Sequence, residues 1–122
     1  MNALTHIDPG ALERLRRLGG EKFLHDMIGL FLDYAAKKVA EATEAAAAGD
    51  LARVQSAVHP IKSSAGNIGA LGMQALASRI ETEAGTGAAD AVALGLTELR
   101  QTFASVAAEL RTLNPSGPTT AP

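Results

Sequence analysis

Neither cysteine nor tryptophan occurs in this 122-residue chain, and aromatic residues make up only 3% of it. The lack of cysteine excludes a disulfide framework and a thiolate metal site. The lack of aromatics leaves aliphatic side chains to fill a close-packed core, and hydrophobic residues at 47% are enough to supply one. Runs of β-branched residues are missing while alanine is abundant, a balance that favours helices throughout. No apolar run approaches the ~18 residues of a membrane span. The N-terminus lacks the basic-then-apolar order of a secretion signal. A formal net charge of −2 without a basic cluster argues against nucleic acid as a partner. Glycine-rich phosphate loops, nucleotide motifs and catalytic triads are also missing, so the chain has no means of using ATP by itself. The expectation is a soluble, cytoplasmic, monomeric domain with no cofactor or metal of its own.

Taken in order, residues 1–7 form a short lead. Asp8-Pro9 is a strong helix start, with Asp8 as N-cap and Pro9 at the first helical position. Ala11, Leu12, Leu15 and Leu18 then make a short amphipathic helix that stops at Gly19-Gly20. A long helix comes next over 21–48, with a main stripe of Leu24, Ile28, Phe31, Ala35, Val39, Ala42 and Ala46. Phe23, Met27, Leu30 and Tyr34 form a second stripe beside it. Two accounts fit such a wide apolar face: contact with two neighbouring helices, or a strip left exposed as a docking surface.

Gly49-Asp50 ends one helix and caps the next. In the helix over 51–68, Leu51, Val54, Val58, Ile61, Ala65 and Ile68 make one apolar stripe. Gly69 closes that helix or marks a turn. A further helix over 71–84 carries Leu71, Ala75, Leu76, Arg79 and Ile80 around one side, and Gly85-Thr86-Gly87 breaks it. From Asp90 onward Val92, Leu96, Leu99, Phe103, Val106, Leu110 and Leu113 repeat at helical spacing. Short breaks between such helices predict an all-α fold, an antiparallel up-down four-helix bundle with a short additional N-terminal helix. Residues 1–113 form this domain. The segment 114–122, with three prolines, a glycine and no large apolar residue, is expected to be a disordered tail.

The chemistry concentrates in the helix over 51–68. His59 lies roughly 130° from the centre of the apolar stripe at about 100° per residue, so its imidazole faces solvent or the bundle rim. Lys62 at i+3 and Ser63 at i+4 are its neighbours on the helix surface, and Gly66 lies a turn further along the same face. A neutral imidazole has a free lone pair and needs no base to activate it. An ammonium one turn away suits a reaction whose transition state spreads negative charge over phosphoryl oxygens. Ser63, Ser64, Ala65 and Gly66 keep the approach clear, and either serine could donate a hydrogen bond. A surface histidine beside a surface lysine would by itself mean little. The small-residue run is harder to dismiss, since two serines, two glycines and Pro60 within ten residues all disfavour a purely structural helix. Pro60 cannot donate to the carbonyl of Ser56 and should bend the helix there. His6 and His25 have no lysine at i+3 and no metal-ligand spacing with His59, so neither is assigned a role.

From His59 to Ala70 the sequence His-Pro-Ile-Lys-Ser-Ser-Ala-Gly-Asn-Ile-Gly-Ala resembles the signature of histidine-containing phosphotransfer (HPt) domains, His-x-(Leu/Ile)-Lys-(Gly/Ser)-(Ser/Ala)-(Ser/Ala)-x-x-x-Gly-Ala. Most members have glycine where this chain has Ser63. Leu-Gly-Gly-Glu-Lys-Phe-Leu, the Ala-Gly-Asp-Leu junction and Arg79-Ile80-Glu81 extend the resemblance over residues 7–113. It implies a four-helix bundle with the histidine mid-helix, phosphorylation of His59 and charge stabilisation by Lys62. It also implies docking of receiver domains on the long helix, where one or two of Phe23, Met27, Leu30 and Tyr34, Met27 first, are expected to be partly exposed near the imidazole. Family members often carry glutamine or glutamate at the place of Glu81, facing the histidine. A glutamate there would orient the imidazole but also repel the phosphoryl group. The implied activity is that of a carrier, not an enzyme, between a hybrid histidine kinase and a response regulator. The Mg²⁺ for that chemistry would sit in the receiver's acidic pocket.

Two other functions share these features. One is the phosphoacceptor module of a chemotaxis-type histidine kinase. Such a module is usually followed by further domains, and the Pro/Gly tail favours a free-standing protein. The other is a helical adaptor that binds receivers and transfers nothing, against which the presence of both His59 and Lys62 speaks.

Overall fold

The computed structural model describes residues 4–114, and these form four helices: α1 (Pro9–Ala47), α2 (Leu51–Ile68), α3 (Leu71–Gly85) and α4 (Ala89–Leu113). The expected tail lies, Asn114 apart, outside the described residues. A helix of α2's length spans about 27 Å, and links of two or three residues cannot return to its far end. Consecutive helices therefore run antiparallel. α1 packs against α2 and α4, and α3 packs against the same two helices. This is the expected up-down bundle.

The separate N-terminal helix is joined to the long one. The expected break at Gly19-Gly20 is reduced to a single kinked residue, Gly20, at φ 86 and ψ −176 inside α1. That conformation is essentially reserved for glycine. At the start of α1 the Asp8 carboxylate accepts from the Gly10 amide at 3.1 Å, with Pro9 behind it at N1. Asp50 caps α2 in the same way, accepting from the Arg53 amide at 3.1 Å. α2 is unbroken across Pro60.

The core is aliphatic. From α1 it takes Leu24, Ile28, Phe31, Ala35, Val39, Ala42 and Ala45, so the expected stripe slips by one residue at its end, where Ala46 is only half-buried. α2 contributes Val54, Ala57, Val58, Ile61, Ala65 and Ile68, and α4 contributes Val92, Leu96, Leu99, Val106 and Leu110. Phe103 is half-buried and meets Phe31 edge-on at 6.2 Å between centroids. The expected side of α3 needs correcting. Leu71, Ala75 and Arg79 lie outside the buried side, which is Met73, Leu76, Ala77, Ile80 and Ala84. Two of those five are alanines, which suit close approach but give a weak periodic signal.

Gly69 ends α2 in the left-handed region at φ 88, and its amide bonds back to the Ala65 and Gly66 carbonyls. Its own carbonyl accepts from the Asp8 amide at 2.8 Å, which ties the end of α2 to the start of α1. A Cβ on Gly69 would lie 2.8 Å from both the Ala11 Cβ and the Asp8 carbonyl oxygen. Gly69→Ala therefore combines left-handed strain of about 1–2 kcal/mol with a backbone clash. Urea denaturation should show a loss at least that large; an unchanged midpoint would contradict the tight junction.

Candidate functional site

Stripe geometry and capping together place His59 at the middle of α2, on the side turned away from the core. Its side chain is 68% exposed. Nδ1 of the ring lies 2.6 Å from Oε2 of Glu81, which α3 presents across the helix pair. The other oxygen, Oε1, accepts from Nζ of Lys62 at 2.8 Å. One carboxylate thus bridges the histidine and the lysine. A carboxylate only accepts hydrogen bonds, so it selects the tautomer with hydrogen on Nδ1. The lone pair is then on Nε2, the ring nitrogen outside this bond.

Glu81 is 19% exposed and Lys62 34%. The hydrogen bond from Lys62 is the largest influence on the Glu81 carboxyl, and it outweighs the opposing effect of burial. With the further help of His59, it holds Glu81 below the usual carboxylate range. The lysine is therefore not a free surface cation pointing at solvent. Its ammonium is fixed to the group that also fixes the ring.

The remaining predicted residues divide. Ser63 is exposed beside the histidine and Ser64 is half-buried. Gly66 has a different neighbour from the one expected. A Cβ there would lie within 2.3 Å of Nε2 of Gln74, so the space above this glycine is taken by α3. Gln74 uses the approach to donate to the Lys62 carbonyl at 3.1 Å, buttressing the backbone one turn from His59. Sequence reasoning missed Gln74. The only available signal was a glycine within a helix, which points to close approach without naming the neighbour.

On α1, Phe23 and Met27 are half-buried, while Leu30 is 61% and Tyr34 40% exposed. Met27, Leu30 and Tyr34 line a shallow groove of about 220 Å³ with Leu15, Ser64 and Asn67. Three members of the second stripe therefore lie beside the His59 helix, and the most exposed is Leu30 rather than the expected Met27. Phe23 does not join them; it lines a separate cavity with His25, Arg111 and Asn114. His6 is exposed, with its amide on Glu109 at 3.0 Å, and His25 lies 3.5 Å from Glu21. Among the described residues no cluster of three or more metal-ligating side chains forms, and no helix is long and apolar enough to cross a membrane.

An exposed histidine held at one nitrogen by a carboxylate, mid-helix in an up-down bundle, has the form of a histidine phosphocarrier. The sequence matches the Hpt domain family over residues 26–111, and the chain belongs to that family. No curated protein matches it. Among solved structures it is similar to the crystal structure of histidine-containing phosphotransfer protein B (HptB) from Pseudomonas aeruginosa PAO1. The TM-score is 0.87 over 93% of this chain and 97% of that one, with 18% identity. At that identity the likeness establishes a shared fold.

The lowered pKa of Glu81 has a sign that can be tested. A depressed carboxyl contributes stability above the ordinary glutamate range and loses it as pH falls through the lowered value. Glu81→Gln should therefore show a flatter loss of stability than the parent chain between about pH 5 and 3. Superimposable acid limbs in chemical denaturation would mean that the bridge contributes nothing to folding.

Proposed function

We propose that His59 carries a phosphoryl group between receiver-domain aspartates, from a hybrid histidine kinase to a response regulator. The observation that supports this most is the Glu81–His59 hydrogen bond, which leaves Nε2 as the available nucleophile. In the forward step the Nε2 lone pair attacks phosphorus of a phosphoaspartate. The N–P bond forms, the P–O bond to aspartate breaks, and the receiver carboxylate leaves with its electron pair. The ring, carrying hydrogen on Nδ1 and phosphorus on Nε2, becomes cationic. Glu81 stands at the nitrogen where that charge is shared, so it stabilises the product ring rather than facing the phosphoryl group. Lys62 sits beside the same carboxylate and offsets its charge near the transferred group. Mg²⁺ belongs to the receiver's acidic pocket in this scheme. The protein acts as a cytoplasmic, monomeric carrier without kinase activity, and Ser63 and Ser64 leave the receiver room to close over the ring.

Incubation with a phosphorylated receiver should place acid-labile label on the parent chain and none on His59→Gln, which should keep its helical circular dichroism because the side chain is off the core. Label persisting on the variant would refute the assignment, and a parent chain that binds receiver but never takes label would be an adaptor.

Receiver docking falls to the groove beside the site, where Leu30 and Tyr34 supply an apolar centre and Ser64 and Asn67 a polar edge. Leu30→Asp should slow transfer from a receiver at least about tenfold by weakening association. Labelling by phosphoramidate, which needs no docking, should not change. Equal transfer rates with receiver would remove this groove from the interface.

A further inference from the structure

Glu109, on the last turns of α4, is far in sequence from the site and takes no part in its chemistry. Its carboxylate nevertheless gathers the N-terminal lead. Oε2 accepts from the Thr5 hydroxyl at 2.7 Å and the Thr5 amide at 3.2 Å, and both oxygens lie 3.0 Å from the His6 amide. Burial alone would push this carboxyl up, but the Thr5 hydroxyl and the His6 and Thr5 amides outweigh it and hold Glu109 below the usual range.

The lead runs directly into the segment of α1 before Gly20. Ile7, Ala11 and Leu12 are buried under it, and such apolar contacts are not directional. Its far end meets the kink at Gly20, where the Phe23 side chain packs close against Gly19 and the Arg16 guanidinium donates to the Glu21 carboxylate across the kink. At the near end, directional restraint comes from Glu109 and from the Asp8 amide on the Gly69 carbonyl. Leu15, half-buried on the same segment and packed against the core, lines the groove together with Ser64, Asn67, Met27 and Leu30.

We infer that Glu109 is a positioning residue for receiver docking: by latching Thr5 and His6 it sets the N-terminal segment of α1 whose Leu15 forms one wall of the groove beside His59. The inference rests on the proposed use of that groove. It makes affinity for the receiver depend on a residue that touches neither the receiver nor the histidine. The chemical step does not depend on it, since Glu81, Lys62 and Gln74 hold the ring and its helix from α2 and α3.

The test measures transfer from a receiver domain, phosphorylated with acetyl phosphate, at a series of receiver concentrations, for the parent chain, Glu109→Ala and Glu109→Gln. Glu109→Ala should raise KM about three- to tenfold, as expected for the loss of directional bonds, and leave kcat within about twofold. Glu109→Gln, which keeps one acceptor oxygen, should fall between the two. Hydrogen exchange should quicken at the amides of residues 5–19 in the alanine variant, and phosphoramidate labelling of His59 should stay unchanged. An unchanged KM with faster exchange makes Glu109 a structural anchor only and overturns the inference. Unchanged exchange, or a fall in phosphoramidate labelling, overturns it as well. A parent chain that takes label from phosphoramidate but from no receiver overturns the proposed function, and the latch falls with it.

Discussion

A single carboxylate, that of Glu81, holds the site together. Its two oxygens reach a ring nitrogen 22 residues away and an ammonium 19 residues away, both on another helix. Bonds of 2.6 and 2.8 Å between side chains of different helices demand that α2 and α3 lie close and keep their register. The small residues along this pair meet that demand. Ala57 and Ala65 on α2 are buried, as are Ala77 and Ala84 on α3, and Gly66 lets Gln74 approach the α2 backbone. The serine, alanine and glycine run thus serves two ends. Ser63 and Ser64 leave space on the outside, while Ala65 and Gly66 admit the neighbouring helix.

Closeness has a cost in helix propensity, which the bundle offsets at its ends. Pro60 and Gly66 disfavour α2 taken alone, yet Asp50 caps its first turn and Gly69 closes its last. The Gly69 carbonyl then accepts a hydrogen bond from the Asp8 amide, so the end of α2 and the start of α1 stabilise each other. Stability at the site thus comes from the buried stripe of α2, its termini and its neighbour rather than from the helix propensity of the site residues.

Much of this was legible in the sequence. The bounds of α2, its buried stripe and the outward position of His59 all follow from 3.6-residue spacing and two caps, because one apolar period dominates that segment. The side of α3 did not follow: Ala77 and Ala84 carry little periodic signal, and Leu71 drew the assignment to a face that is exposed. Glu81 was recognisable as a neighbour of the histidine, but its effect was not. Spacing along a helix says which face a side chain occupies and is silent on which ring nitrogen it meets. A glutamate near the phosphorylated nitrogen would repel the incoming group, whereas one at Nδ1 stabilises the charge that the ring acquires. Gln74 and Glu109 were out of reach for the same reason, since their contacts cross between elements distant in sequence.

That distinction bears on what kind of carrier the site can be. A carrier must accept phosphoryl and give it up again, so the phosphorylated state cannot be much more stable than its partners. In the proposed transfer, Glu81 stabilises the cationic ring and thereby favours acceptance. The same carboxylate binds Lys62, and every bond it holds to the ammonium limits the positive charge available to the phosphoryl oxygens. Acceptance and release are thus opposed within one hydrogen-bonded unit, and neither effect can be altered alone by changing Glu81. The balance is set by how the carboxylate divides itself between ring and ammonium, which returns it to the spacing of α2 and α3. Packing of the core side of α3, through Ala77 and Ala84, is therefore coupled to the energetics of the exposed histidine through the position it gives Glu81.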